Sequence, residues 1–172
     1  LPSGHTAGIA ILATAYSFVN PPPRGIYVHG SVGIGKSMLM DMFYSICDAG
    51  YTEKEDDYPP IQRRCRRCHF HEFMLDVHSR IHSYKKNHPK GDPIPPVAAS
   101  LAKDARMLCF DEMQITDIAD AMIVKRLFTI LLDLGVVVVT TSNRPPWGLY
   151  EGGINRSVFM PFIDTLRKRM VI

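Results

Sequence analysis

Gly30-Ser31-Val32-Gly33-Ile34-Gly35-Lys36-Ser37 ends a glycine-rich stretch in a lysine and a hydroxyl. The spacing Gly-x4-Gly-Lys-Ser is the Walker A pattern. The short β-rich run Gly25–His29 precedes it and an apolar run at helical spacing follows it, which is the setting that pattern requires. Glycines let backbone N–H groups converge on phosphate oxygens, and a helix starting near Lys36 aims its positive dipole end at them. Gly30, Ser31, Val32, Gly33, Ile34, Gly35, Lys36 and Ser37 are therefore candidate nucleotide-binding residues. Lys36 is expected to hold the β- and γ-phosphates, and the Ser37 hydroxyl to ligate Mg²⁺.

A second polar pair closes the apolar run Met107-Leu108-Cys109-Phe110-Asp111-Glu112. A strand ending in Asp fits Walker B, whose carboxylate orients the Mg²⁺ shell, so Asp111 is expected to serve the metal through water. Glu112 beside it can polarise a water for attack on a γ-phosphate. That favours a hydrolase over a small-molecule kinase, which needs no activated water. An exposed Asp-Glu pair is common at strand ends, but that reading loses force beside a full Walker A string. Asn143 follows Asp111 by 32 residues and ends another buried strand. It can contact the γ-phosphate or the attacking water, or merely turn the chain before Pro145. Arg156 opens a helix 13 residues later. An arginine supplied by a neighbouring subunit is worth about 10³–10⁵ in rate. From position alone, a surface or ion-paired role is the simpler reading. The catalytic candidates are thus Glu112, Asn143 and Arg156. No Asn-Lys-x-Asp string for guanine occurs, which favours adenine and makes ATP and Mg²⁺ the expected cofactors.

The elements that position these residues alternate. After an apolar stretch at Gly8–Phe18, read as a helix, Asn20-Pro21-Pro22-Pro23 stops it. Strands are expected at Gly25–His29, Cys68–His71, Met107–Phe110, Val136–Val139 and from Met170. Helices are expected at Met38–Ala49, Glu72–Lys86, Pro96–Lys103, Ile118–Leu134 and Ser157–Lys168. The segment 51–66, with Glu53-Lys54-Glu55-Asp56-Asp57, reads as a solvated insertion, and Pro89–Pro96 as a linker. This pattern is an α/β domain, a parallel sheet with helices on both faces. All three polar motifs fall at carboxyl ends of strands, where such sheets bind ligands.

Composition sets the outer bounds. The 172 residues are 46% hydrophobic and 22% charged, with a net charge of +3. That suits one globular domain and excludes bulk disorder or a disulfide-stapled mini-protein. Four scattered cysteines point to a reducing compartment. Ala7–Val19 is short of the ~20 residues a membrane span needs. Cys65-Arg66-Arg67-Cys68-His69 matches a c-type haem string, but His69 belongs to an apolar strand. Cys65, Cys68, His78 and His82 make a poor zinc finger, since nine residues lie between Cys68 and His78 against the usual ~12. Arg63, Arg64, Arg66 and Arg67 read as a solvated loop edge ahead of a nucleic-acid patch.

Longer strings carry a family resemblance. His69-Phe70-His71-x-Phe73-Met74-x2-Val77-His78 is similar to a segment of the ZapE-type AAA+ ATPases. So are Asp111-Glu112-x-Gln114-x-Thr116-Asp117-Ile118-Ala119-Asp120-Ala121-Met122-Ile123 and Thr141-Ser142-Asn143-Arg144-Pro145-Pro146. Leu149-Tyr150 and Asn155-Arg156-x2-Phe159-x-Pro161-Phe162-Ile163 continue the match over most of 25–172. Phe73-Met74-Leu75-Asp76-Val77-His78-x-Arg80-Ile81-His82 most resembles the eukaryotic branch of mitochondrial lactation-elevated or AFG-type proteins. The resemblance implies a P-loop NTPase of the ASCE type with an AAA+ core and strand order 5-1-4-3-2. It implies ATP hydrolysis in a homo-oligomeric, hexameric ring that acts on protein substrates. It makes Asn143 sensor 1 and raises Arg156 as an arginine finger.

Residues 1–24 then form an N-terminal helix and linker, and 25–172 the core. The chain ends at the fifth strand, so the helical lid is expected to be missing from it. The expected location is the mitochondrion, or the cytoplasm if the bacterial branch fits better. Peripheral membrane association stays open, and a nucleic-acid partner is not expected. Ile34, Met113 and Trp147-Gly148 depart from the family's Thr, Phe and acidic pair. A helicase-loader-type ATPase and a non-hydrolysing nucleotide-binding fragment remain alternatives.

Overall fold

Apolar strands such as Val136–Val139 leave no face that tolerates water, so both sides of their sheet need cover. The computed structural model describes residues 23–52 and 65–172. In chain order the elements are β1 Gly25–His29, α1 Lys36–Thr52, β2 Cys65–His69, α2 Phe70–Asn87, α3 Ile94–Asp104 and β3 Met107–Asp111. They continue with α4 Ile118–Asp133, β4 Val137–Ser142, a short 3₁₀ turn at Pro146–Gly148, α5 Arg156–Arg169 and β5 Met170–Val171. The five strands form one parallel sheet in the order β2-β3-β4-β1-β5, which is the expected 5-1-4-3-2. The expected helix over Gly8–Phe18 lies outside the described residues.

Strand alternation sorts the core into two halves. Tyr27, Leu108, Phe110 and Val138 face the layer of α2 to α5 and pack with Phe73, Phe128 and Phe162. The rings of Phe73 and Phe110 are 4.5 Å apart at their centroids, within stacking range. Ile26, Met107, Cys109 and Val139 face the opposite side, where Met40 and Phe43 of α1 cover them. Burial pushes the Cys109 thiol up to about 12, aided by the nearby Cys65 and Cys47. Asp111 and Thr141 share the odd parity of Cys109 and Val139, so both belong to the α1 face.

Among the boundaries that differ from expectation, three have a clear physical reason. The strand expected at Cys68–His71 runs instead over Cys65–His69 and takes in the last two residues of the expected insertion. Its two arginines hid it as a charge run. They are tolerated because Arg66 pairs with Asp76 at 2.6 Å and Arg67 with Asp111 at 2.6 Å. Neither therefore sits on a solvated loop edge. The helix after β2 starts early because Glu72 accepts a hydrogen bond from the His69 amide at 3.3 Å, half of a capping box. Finally, α3 begins at Ile94 and not at Pro96. Pro95 and Pro96 fit its first turn, where no amide is required.

Candidate nucleotide-binding site

The glycine loop joins β1 to α1, and Lys36 is the first residue of that helix. Gly33 and Gly35 adopt φ +84° and +86°, a left-handed geometry that glycine enters without penalty. A Cβ at either would meet nothing within 4 Å, so the loop rims open space and not packed protein. Lys36 Nζ donates to the carbonyls of Gly30 at 2.9 Å and Ser31 at 2.7 Å. It is thus folded over the loop it belongs to. The Gly30 amide donates to Ser142 O at 3.2 Å and ties the loop to the end of β4. Val32 and Ile34 expose their side chains, and Ile34 Cδ1 lies over Gly30.

The exits of β3 and β4 are laced together. The Met113 amide donates to Thr141 O at 2.7 Å, and Ser142 Oγ to Met113 O at 2.8 Å. Thr141 Oγ1 accepts from the Glu112 amide at 3.0 Å and donates to Asp111 Oδ1 at 3.3 Å. Glu112 itself has φ +56°. That conformation costs a non-glycine residue roughly 1–2 kcal/mol and persists here because the Thr141 bond and the Met113 tether hold it. Glu112 is exposed, whereas Asp111 beside it is buried.

A cleft of about 310 Å³ results, with Gly33, Gly35, Lys36 and Ser37 on one wall and Glu112, Thr141, Ser142 and Asn143 on the other. A second, of about 320 Å³, shares Glu112, Ser142 and Asn143 and runs on to Leu149–Gly153. Sequence reasoning thus assigned residues from three separate strand ends, and the fold brings them to one place. Five candidates do not line the phosphate-loop cleft: Gly30, Ser31, Ile34, Asp111 and Arg156. Asp111 is 4% exposed, and its Oδ2 accepts from Arg67 Nη2 at 2.6 Å and Nε at 3.1 Å. Arg156 begins α5, and its Nη2 donates to the Trp147 carbonyl. Its Nε is buried with no hydrogen-bond partner among the described residues.

Open space above a lysine-capped glycine loop is the chemistry of an anion cradle, and known proteins point the same way. The family of AFG1-like ATPases matches residues 14–172. The chain belongs to the AFG1-like ATPase family. It is 49% identical over 155 residues to Lactation elevated protein 1 homolog B of Danio rerio, covering 86% of this chain and 28% of that protein. It is 37% identical over 147 residues to the cell division protein ZapE of Escherichia coli K12, covering 86% and 35%. The chain therefore spans about a third of the length of the curated relatives it matches. Among solved structures, AMPPCP-bound DnaA from Aquifex aeolicus superposes with TM-score 0.54 at 18% identity, over 100% of this chain and 47% of that one. The DnaC helicase loader superposes at 0.51 with 13% identity, over 99% and 90%. At such identities the likeness speaks for the fold alone.

Within this AFG1-like core, sequence reasoning missed Thr141, Arg67 and Asp41. The signal for Thr141 was the polar run Thr140-Thr141-Ser142 closing a buried valine strand. Such hydroxyls must find partners, and Thr140 and Ser142 do so too, on Phe110 O and Met113 O. Arg67 could have been suspected only once β2 was recognised. Tyr27, which supports the loop after β4, donates its hydroxyl to Arg144 O at 2.9 Å, and burial pushes that hydroxyl up to about 12.

Proposed function

We propose that the chain binds Mg·ATP in the glycine-loop cleft and hydrolyses it. The observation that supports this most is the meeting of Lys36, Ser37, Glu112 and Asn143 around one 310 Å³ cleft at the carboxyl ends of β1, β3 and β4. In this reading the amides of Gly33 to Ser37 and the Lys36 ammonium hold the β- and γ-phosphates. Mg²⁺ when bound neutralises charge on those phosphates, and Ser37 and Asp111 are the residues to hold it, Asp111 through water. Glu112 takes a proton from the attacking water, and Asn143 orients that water or the γ-phosphate. Arg156 does not reach its own cleft, so it serves as a finger only toward a neighbouring copy in a ring.

The work done by the cycle is proposed to be remodelling or quality control of protein substrates in mitochondria. The support is the greater identity to the zebrafish lactation-elevated protein, 49%, than to the bacterial one, 37%. A nucleic-acid role is less favoured, because Arg66 and Arg67 spend their charge on Asp76 and on Asp111 and Asp41. No described helix is long and apolar enough to cross a membrane.

The test is titration of the full-length protein with a fluorescent ATP analogue and Mg²⁺, alongside Lys36→Ala. Loss of the ammonium is expected to weaken binding by about tenfold or more, the scale of a charge-assisted hydrogen bond. Equal affinity in the two proteins would reject the site.

A further inference from the structure

Arg67 is placed to do more than hold the fold. Cys65, two residues before it, packs against Met107 and Cys109 on the α1 face, so alternation puts Arg67 on that face with Asp111. Two of its nitrogens, Nη2 and Nε, donate to the single oxygen Oδ2 of Asp111. The third, Nη1, pairs with Asp41 of α1. Asp41 stands one helical turn after Ser37, on the same side of α1. The guanidinium thus spans the gap between the helix that presents Ser37 and the strand that presents Asp111.

The two carboxylates differ in one respect that matters. The side chain of Asp111 is 6% exposed and that of Asp41 is 54% exposed. A buried carboxylate without a counter-charge is costly, while an exposed one is content in water. With Oδ1 engaged by Thr141 and Oδ2 by Arg67, Asp111 has its charge satisfied and is withheld from the cleft.

We propose that Arg67 is an exchangeable counter-cation for Asp111. In nucleotide-free protein it neutralises the buried carboxylate. When the magnesium nucleotide binds, Arg67 gives up Oδ2 and falls back onto Asp41, already its partner. This rests on the reading that Asp111 serves Mg·ATP. Arg67 thereby sets how much Mg²⁺ the site requires, because apparent affinity is scaled by the fraction of molecules in which Asp111 is free.

The experiment uses the full-length protein and a fluorescent ATP analogue at fixed concentration, with Mg²⁺ titrated. The readouts are the half-saturating Mg²⁺ and the Mg²⁺-dependent rise in melting temperature at saturating nucleotide. Arg67→Gln removes the competitor, so the half-saturating Mg²⁺ is expected to fall by about tenfold. Asp41→Asn removes the fallback partner and is expected to raise it severalfold. The opposite signs are the signature, since a structural strut lost at either end would weaken binding in both variants. An unchanged or raised Mg²⁺ requirement in Arg67→Gln overturns the proposal. If Arg67→Gln fails to fold, Asp41→Asn decides alone, and an unchanged or lowered requirement there overturns it equally. If wild type shows no Mg²⁺-dependent binding, the nucleotide reading itself falls. If wild type is Mg²⁺-dependent and the variants do not diverge, only the role of Arg67 falls.

Discussion

Replacing Thr141 with Val keeps the shape of a side chain that is 1% exposed and deletes one hydroxyl. That hydroxyl makes two bonds, accepting from the Glu112 amide at 3.0 Å and donating to Asp111 Oδ1 at 3.3 Å. The first is a neutral bond worth about 1 kcal/mol; the second, long but charge-assisted, belongs near the low end of the roughly 1.5–3 kcal/mol range. Together they make Thr141→Val about 2.5 kcal/mol less stable, or about 5–10 °C in melting temperature for a domain of this size. The catalytic effect is separate. Glu112 sits at φ +56° only while it is held there, and the methyl of Val cannot accept its amide. Relaxation of that residue moves the carboxylate off its aim, and a misplacement of about 1 Å costs on the order of 10²-fold in turnover. Binding of a fluorescent ATP analogue is expected to change by less than about threefold, since the glycine loop and Lys36 are untouched. Thr141→Ser, which keeps the hydroxyl, is expected to keep most of the turnover. The assays are differential scanning calorimetry and phosphate release. A Thr141→Val protein with wild-type turnover would refute the claim that this hydroxyl holds Glu112.

Two further outcomes follow from other contacts. Arg156→Ala is expected to leave nucleotide binding intact and to cut ATPase turnover steeply; mixed with Lys36→Ala under confirmed subunit exchange, it is expected to regain activity, because the Lys36 variant still offers its arginine to a neighbour's intact cleft. Rates that are a plain sum of two inactive proteins at every mixing ratio would return Arg156 to a structural role on the Trp147 carbonyl. Asp76 is partly buried, which opposes its ionisation, but hydrogen bonds from Arg80 and Arg66 outweigh this and hold its carboxyl below the ordinary range. A depressed folded value means stability that is present above the unfolded carboxyl range and lost as pH falls through the folded one. Wild type is therefore expected to lose stability over Asp76→Asn progressively below about pH 4, with the two melting curves converging in acid. A constant gap between them at all pH values would contradict this.

How far the sequence could be read depended on what each signal rests on. The strand order came with the family resemblance, while the cleft walls at Gly33, Gly35–Ser37, Glu112 and Asn143 were legible because each motif follows an apolar strand. Local chemistry and topology there agree. Strand β2 was obscured because Arg66 and Arg67 break its apolar pattern, and their acidic partners lie 10 and 44 residues further along the chain. The early start of α3 was obscured by two prolines that read as a linker until their first-turn position is known. Withdrawal of the Asp111 carboxylate onto Arg67, and the left-handed turn at Glu112, are products of long-range packing and carry no local signal.

The central claim is that Glu112 activates water at a nucleotide held by the glycine loop. Glu112→Gln keeps the size of the side chain and removes its capacity to take a proton. A single-turnover measurement with radiolabelled ATP on the full-length protein tests this directly. The account predicts unchanged ATP affinity, trapped ATP on the protein, and hydrolysis slowed by about 10²-fold or more. Hydrolysis at the wild-type rate in Glu112→Gln would contradict it and leave Glu112 as a surface carboxylate beside the cleft.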